Sequence, residues 1–248
     1  MHRSAPRLTR ILACAAVPVM LAVAGCSSDS DGKEGQAPGA KAPSAGASSA
    51  APGGGVSEKP TPTVIPAKYA KLPSACQAIA AKTIEDLVPK VKTKAGTPGK
   101  SSNPANRGGC SWNGLEDKGV DGSQYRWLDV SLFRYNSDPV LGSGDERAKE
   151  SAEKEIAKLK ATPGASKMRT SPANGIGDEA TAVAYDTKKT DEEFKYATIV
   201  ARTANAVVVL SFNGAGYAGD GAPGEKAMME GATKAAKEAV AAIAAANK

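Results

Sequence analysis

Histidine is almost absent from this chain: the single one is His2. It stands with Arg3, Arg7 and Arg10 ahead of an apolar run, residues 11–24, that Pro18 interrupts. If that leader is removed, no side chain remains whose ordinary pKa lies near neutral pH. Ser-His-Asp and Cys-His catalysis then cannot be assembled, and zinc sites that use imidazole are excluded with them. Carboxylate-based glycoside hydrolysis and Ser-Lys acyl chemistry survive this exclusion. Aromatic residues are also few, 4% of the chain, which argues against a base-stacking platform for nucleic acid. A formal charge of +6 falls by three when Arg3, Arg7 and Arg10 leave, too mild a balance for a polyanion binder. After residue 24 no apolar stretch reaches the roughly 20 residues that a spanning helix needs.

The run 11–24 is itself too short to span. A basic head, a short apolar body and small residues at its end describe an export signal that is later cut away. The closing residues, Val23-Ala24-Gly25-Cys26, resemble the bacterial lipobox. That resemblance implies a signal peptide over residues 1–25, cleavage just before Cys26, and a diacylglycerol thioether on its sulfur. One myristoyl-length chain holds only marginally at roughly 0.8 kcal/mol per methylene, so two long chains make a durable anchor. The expectation is a lipid-anchored protein on the extracellular face of a cell membrane.

Cysteine usage fits the same compartment. Of four cysteines, Cys14 leaves with the signal and Cys26 is the lipid site. Cys76 and Cys110 remain, an even pair in an oxidising environment. A bridge between them is expected, with two free thiols or a redox pair as the alternatives. A loop of this length is worth roughly 3.8 kcal/mol in chain entropy.

Residues 26–67 are dominated by Ser, Gly, Ala and Pro and read as a disordered tether, because such a segment buries too little to offset its ordering entropy. Residues 68–248 read as one extracellular domain. Ser74 is a candidate N-cap for a helix through Leu87, which Pro89 ends. Residues 109–115 suggest a short strand. Residues 125–135 make a better one, with Leu128, Val130 and Leu132 on one side and Trp127, Phe133 and Tyr135 on the other; both faces are partly apolar, so it belongs inside the sheet. Residues 145–160 form a charged helix whose Ala148, Ala152, Ile156 and Leu159 make one apolar stripe. Three more strands follow at 179–185, 194–202 and 206–212, joined by a polar loop at 187–191 and a tighter one at 203–205. Val207-Val208-Val209-Leu210 lacks alternation, as in a strand buried on both faces. Residues 225–247 form an Ala-rich helix packing through Met228, Ala232, Ala235, Ala239 and Ile243. Directly connected strands imply an α+β fold: a single domain of mostly antiparallel β-sheet against about three helices, with one disulfide. The order helix-then-strands occurs twice and hints at a repeat, without residue-level self-similarity.

Several short motifs carry a resemblance. Pro73-Ser74-Ala75-Cys76 opens a helix, and Cys110-Ser111-Trp112 lies on a strand. Farther on stand Gly175-Ile176-Gly177-Asp178-Glu179-Ala180 and the hairpin from Val200-Ala201-Arg202 to Asn205-Ala206-Val207-Val208. In these residues, and in its lipobox and low-complexity linker, the chain resembles the actinobacterial lipoproteins grouped under one domain of unknown function. The resemblance implies a paired Cys76–Cys110 and an α+β sandwich, and brings no agreed activity with it.

Other apparent motifs are weaker. Gly214-Ala215-Gly216-Tyr217-Ala218-Gly219 matches a dinucleotide fingerprint, but no strand follows to carry the ribose acid, and Glu238 falls on the last helix. A glycine loop is the expectation there. Ser151-Ala152-Glu153-Lys154 matches Ser-x-x-Lys without its companion elements. Asp178 reads as a turn-tightening residue. Asp191, Glu192 and Glu193 cluster beside Lys188 and Lys189 and read as solvated. Trp112 reads as core against the disulfide.

Two candidate contact surfaces remain. One is the basic stretch inside the disulfide loop, Lys90, Lys92, Lys94, Lys100 and Arg107, which suits an anionic headgroup or wall polymer. The other is Tyr125, Trp127 and Asp129 on one strand face. No catalytic residue, metal or cofactor is expected, nor nucleic acid, and the chain reads as a monomer. The function expected is non-catalytic binding of an envelope component: wall polymer, lipid or envelope protein. An accessory or sensor role beside a membrane protein, and a histidine-independent hydrolase, are the alternatives.

Overall fold

The computed structural model describes residues 64–248. The signal segment, Cys26 and most of the expected tether lie outside the described residues. At the end of that expected tether the Ser137 hydroxyl donates to the Ile65 carbonyl at 2.5 Å.

Seven strands form one antiparallel sheet. They are β1 (Thr97–Pro98), β2 (Arg107–Asp117), β3 (Ser123–Arg134), β4 (Ser166–Pro172), β5 (Glu179–Lys189), β6 (Glu192–Thr203) and β7 (Ala206–Tyr217). Their order across the sheet is β1-β2-β3-β7-β6-β5-β4. The fold is therefore two meanders, β1–β3 and β4–β7, joined where β3 pairs with β7. That arrangement accounts for the doubled helix-then-strands order in the sequence, and it places β3 inside the sheet as its two-sided apolar pattern requires.

Helices cover both faces. The helix α3 (Glu225–Ala246) lies on one face with the short α1 (Ala81–Leu87) and a 3-10 turn, Ala75–Gln77. Met228, Ala232, Ala235, Ala239 and Ile243 of α3 are all buried, in one core with Leu128, Val130, Leu132, Val208, Leu210 and Phe212. The helix α2 (Gly144–Lys160) crosses the other face. There Ala148 and Ala152 bury against Val200 and Val207, with Ile156 and Leu159 beside them. A capping box starts α2: the Ser143 hydroxyl accepts from the Glu146 N–H, and the Glu146 carboxylate accepts from the Ser143 N–H.

A disulfide joins Cys76 to Cys110. It fixes the 3-10 turn on β2, next to Trp112, which is 1% exposed. Gly96 has φ +78°, and a Cβ there would meet Cys110 Sγ and the Trp112 ring. Only glycine admits this approach.

Three sequence expectations are corrected, and two strands are added. Ser74 caps no helix; the segment divides into the 3-10 turn and α1. The N-terminal groups of α1 are met from α3 instead, because Glu238 accepts from the Ala80 N–H at 2.9 Å and from the Thr83 hydroxyl at 2.7 Å. The stretch 214–217 is not a glycine loop but the end of β7, where a Cβ on Gly216 would collide with the carbonyls of Asp220 and Gly221. The polar loop at 187–191 is a two-residue turn, Thr190 and Asp191, both at positive φ, so β5 continues through Lys189. Finally, β1 and β4 are edge strands of exposed polar residues, and they carry no apolar alternation to reveal them.

Candidate functional site

Alternation along β3 sends Leu128, Val130 and Leu132 into the α3 core and turns Tyr125, Trp127, Asp129, Ser131 and Phe133 to the opposite face. The sheet register sets the neighbours of Trp127: Asn113 on β2 and Asn213 on β7. Beyond Asn213 comes Tyr196 on β6, and beyond that Tyr185 on β5. Tyr185 and Tyr196 stack with ring centres 4.7 Å apart. Tyr125 and Phe194 meet edge to face at 6.1 Å, as do Phe194 and Tyr217 at 6.3 Å.

This part of the face forms an open groove of about 450 Å³ lined by Tyr125, Trp127, Lys189, Phe194, Tyr196, Asn213 and Tyr217. Lys189 stands at its rim. The ammonium lies 2.7 Å from the Tyr196 hydroxyl, 5.3 Å from the Phe194 ring centre and 5.4 Å from that of Tyr196. Burial, then the neighbouring Tyr217 and Tyr196, raises the pKa of the Tyr125 hydroxyl. Burial also raises that of Tyr217, with Glu192 adding to it and Lys189 opposing it. These hydroxyls stay protonated and able to donate.

Next to Trp127 on the same face is Asp129. Burial pushes its carboxyl up to about 6, against a hydrogen bond from the Trp127 indole that favours the charged form. Its cross-strand neighbours are Ser111 and Ser211, and the Ser211 hydroxyl lies 3.2 Å from that of Thr198. Asp129 is thus an acid on a central strand among hydroxyl groups.

Tyr125, Trp127 and Asp129 are brought together. The basic stretch is not gathered onto one surface. Lys100 and Arg107 line an opening of about 320 Å³ with Ser131 and Phe133, and the Arg107 guanidinium lies over Phe133 at 5.6 Å. Lys94 forms an ion pair with Glu85 at 2.7 Å. Lys90 and Lys92 flank the bridge between Val91 and Gly114. Gly114 is seven residues along β2 from Arg107, roughly 23 Å at strand spacing.

Sequence reasoning missed Tyr185, Lys189, Phe194, Tyr196, Asn213 and Tyr217. The i, i+2 spacing of Phe194 and Tyr196 was a usable signal. Lys189 and Tyr217 were hidden by reading their strand ends as loops. The acid at 178 has the turn role expected of it: its carboxylate accepts from the Ala204 N–H at 2.6 Å and from Arg202 at 3.2 Å. Ser151 accepts a hydrogen bond from the Tyr135 hydroxyl at 2.6 Å. Among the described residues, no cluster of His, Cys, Asp and Glu is arranged to hold a metal ion, and no helix is long and apolar enough to cross a membrane.

No family model matches the chain, and no curated protein does. The resemblance to the actinobacterial lipoproteins therefore stands on the residues quoted above. Among solved structures, the chain is similar to the crystal structure of LpqN, involved in cell envelope biogenesis of Mycobacterium tuberculosis. Identity is 17%, over 55% of this chain and 79% of that one, with a TM-score of 0.31. A likeness at that score supports no inference about activity.

Proposed function

We propose that this chain is an envelope lipoprotein, anchored through Cys26 on the outer face of the cell membrane, which binds a saccharide component of the envelope without catalysis. The groove beside Trp127 is the binding site. One observation carries the reading: a chain poor in aromatics gathers most of its rings on one sheet face. Of three Phe, six Tyr and two Trp, only Tyr69, Trp112 and Phe212 lie elsewhere, all in the α3 core. Near β3's C-terminal end, Phe133 and Tyr135 pack with α2. At the other end Tyr125, Trp127, Phe194, Tyr196 and Tyr217 line open space.

A pyranose ring has apolar C–H faces and a polar edge. Flat aromatic side chains accept the faces, while Asn213, the tyrosine hydroxyls and Lys189 are placed to meet hydroxyl or acidic groups at the edge. A few fixed polar groups in a mostly aromatic cleft are what orient a small ligand. The groove's size suits one or two sugar units. A lipid tail would set hydrocarbon against the Asn213 amide and the Lys189 ammonium, whose one hydrogen bond is to Tyr196, at a desolvation cost.

Two measurements test the separate halves of this reading. Mass spectrometry of the mature protein is expected to show a chain starting at an acylated Cys26; an unmodified start removes the anchor. Co-sedimentation with isolated cell-wall polysaccharide is expected for the wild-type protein and lost in Trp127→Ala. Equal sedimentation of the two removes the groove.

A further inference from the structure

Two aliphatic side chains at one end of the domain face water. Val140 is 90% exposed and Leu141 is 62% exposed. They sit at the tip of a tight turn between β3 and α2, and the turn is rigidly built. Asp138 and Gly142 exchange backbone hydrogen bonds at 2.9 Å. The Asp138 carboxylate accepts from the N–H groups of Val140 and Leu141 at 2.8 and 2.9 Å, bonds that hold its pKa low. A soluble surface gains nothing from fixing two branched apolar groups outward.

A third exposed aliphatic side chain lies close by. Ile65 is 76% exposed, and its carbonyl is held by Ser137, next to the turn in sequence. The 63 residues that precede the described part join the domain here. Arg134 and Arg147 are fixed at the same end: Arg134 donates to the Asn136 side chain at 2.6 Å and Arg147 to the Asn136 carbonyl at 2.7 Å. Asp138 and Glu146 are both engaged with backbone N–H groups. Asp145 in the first turn of α2 is exposed, and Glu150 and Glu155 share an opening with Leu141, Arg147 and Lys154. The aromatic groove opens near the start of β3. Ten residues of extended chain, roughly 33 Å, separate Tyr125 from Tyr135.

We propose that the Val140–Leu141 turn, with Ile65, seats in the interfacial layer of a lipid bilayer, standing the domain with its aromatic groove at the far end. The occupant is the membrane surface, because the chain leading to the lipid site joins the domain beside the turn. The inference rests on the anchored reading above. Two aliphatic side chains bind a bilayer weakly by themselves, but a tether makes the second contact intramolecular and raises its effective concentration.

The test avoids dependence on cellular acylation. A chain beginning at Ser27 with an N-terminal polyhistidine tag is bound to phosphatidylglycerol vesicles containing a nickel-chelating lipid. An environment-sensitive fluorophore is attached at Val140→Cys in one sample. The other carries it at Val120→Cys, a position 100% exposed in the β2–β3 connection at the opposite end of the sheet. The Val140 probe is expected to shift to the blue on vesicle binding and to be quenched by spin-labelled lipid, while the Val120 probe stays in water. A Val140 probe that stays in water on bound vesicles overturns the proposal, as does an equal shift at both positions. Loss of acylation at Cys26 in cells would leave this result unchanged, so the two failures are distinguishable.

Discussion

The side chain of Asn205 brackets the backbone of Tyr69. Its Oδ1 accepts from the Tyr69 N–H at 2.8 Å, and its Nδ2 donates to the Tyr69 carbonyl at 2.9 Å and to the Tyr135 carbonyl at 2.8 Å. Asn205 is fully buried, so one amide in the β6–β7 turn ties the start of the domain to the end of β3. Asn247 repeats the device beyond α3, accepting from the N–H groups of Ala70 and Lys71 and donating to the Lys71 carbonyl.

Replacing Asn205 should therefore act far from its own strand. Asn205→Ala orphans the buried Tyr69 N–H and removes a donor from the Tyr69 and Tyr135 carbonyls, of which the former keeps Arg134 at 3.3 Å, for a loss on the order of 3 kcal/mol. Denaturant unfolding measures it. Asn205→Asp is expected to lose at least as much, since a carboxylate would face two carbonyls.

The Cys76–Cys110 bridge closes a loop of 34 residues. Replacing both cysteines by serine is expected to lower stability by about 2–4 kcal/mol, with the helical and strand signals of circular dichroism retained at low temperature. An unchanged unfolding midpoint would show that the 3-10 turn is held on β2 by packing alone.

Asp129 makes stability depend on pH in a defined direction. Its folded pKa of about 6 stands above the ordinary 3.8, so the folded chain holds this proton more tightly than the unfolded chain does. Its contribution is fully present below about pH 4 and is lost as pH rises through 6. Asp129→Asn should remove that slope and stabilise the protein near pH 8 by on the order of 2 kcal/mol. Thermal unfolding at pH 4.5 and pH 8 compares the two proteins. A wild-type stability that rises through this window relative to the variant would contradict a carboxyl whose burial outweighs its hydrogen bond from Trp127.

The elements legible in the sequence are those with apolar periodicity. The stripe on α2, the packing face of α3 and the continuous run at Val207–Leu210 all follow from side-chain spacing, and they fix the α+β class. β1 and β4 have exposed polar strand residues, so nothing in their composition separates them from loops. About a third of the site was legible for the same reason. Tyr125, Trp127 and Asp129 alternate on one strand, whereas Phe194, Tyr196 and Tyr217 join them only through the β3–β7 and β6–β7 pairings, which link residues about 70 to 90 and about 20 positions apart. The strand ends at Thr187–Lys189 and Gly214–Tyr217 have turn-rich composition and read as loops, but a two-residue turn at Thr190-Asp191 and close backbone approach at Gly216 keep them in the sheet. Basic residues misled in the opposite sense: clustered in sequence, they fall at separate places, Lys90 and Lys92 beside Gly114, Lys94 on Glu85, and Lys100 with Arg107 at the start of β2.

Nuclear magnetic resonance of the domain titrated with fragments of envelope polysaccharide tests the central claim most directly. The account predicts shifts confined to the indole N–H of Trp127, the Asn213 side-chain amide and the backbone around Lys189 and Tyr196. It predicts affinity at least about tenfold weaker in Trp127→Ala. Shifts centred instead on Lys100 and Arg107, or no saturable shift at the aromatic groove, would contradict it.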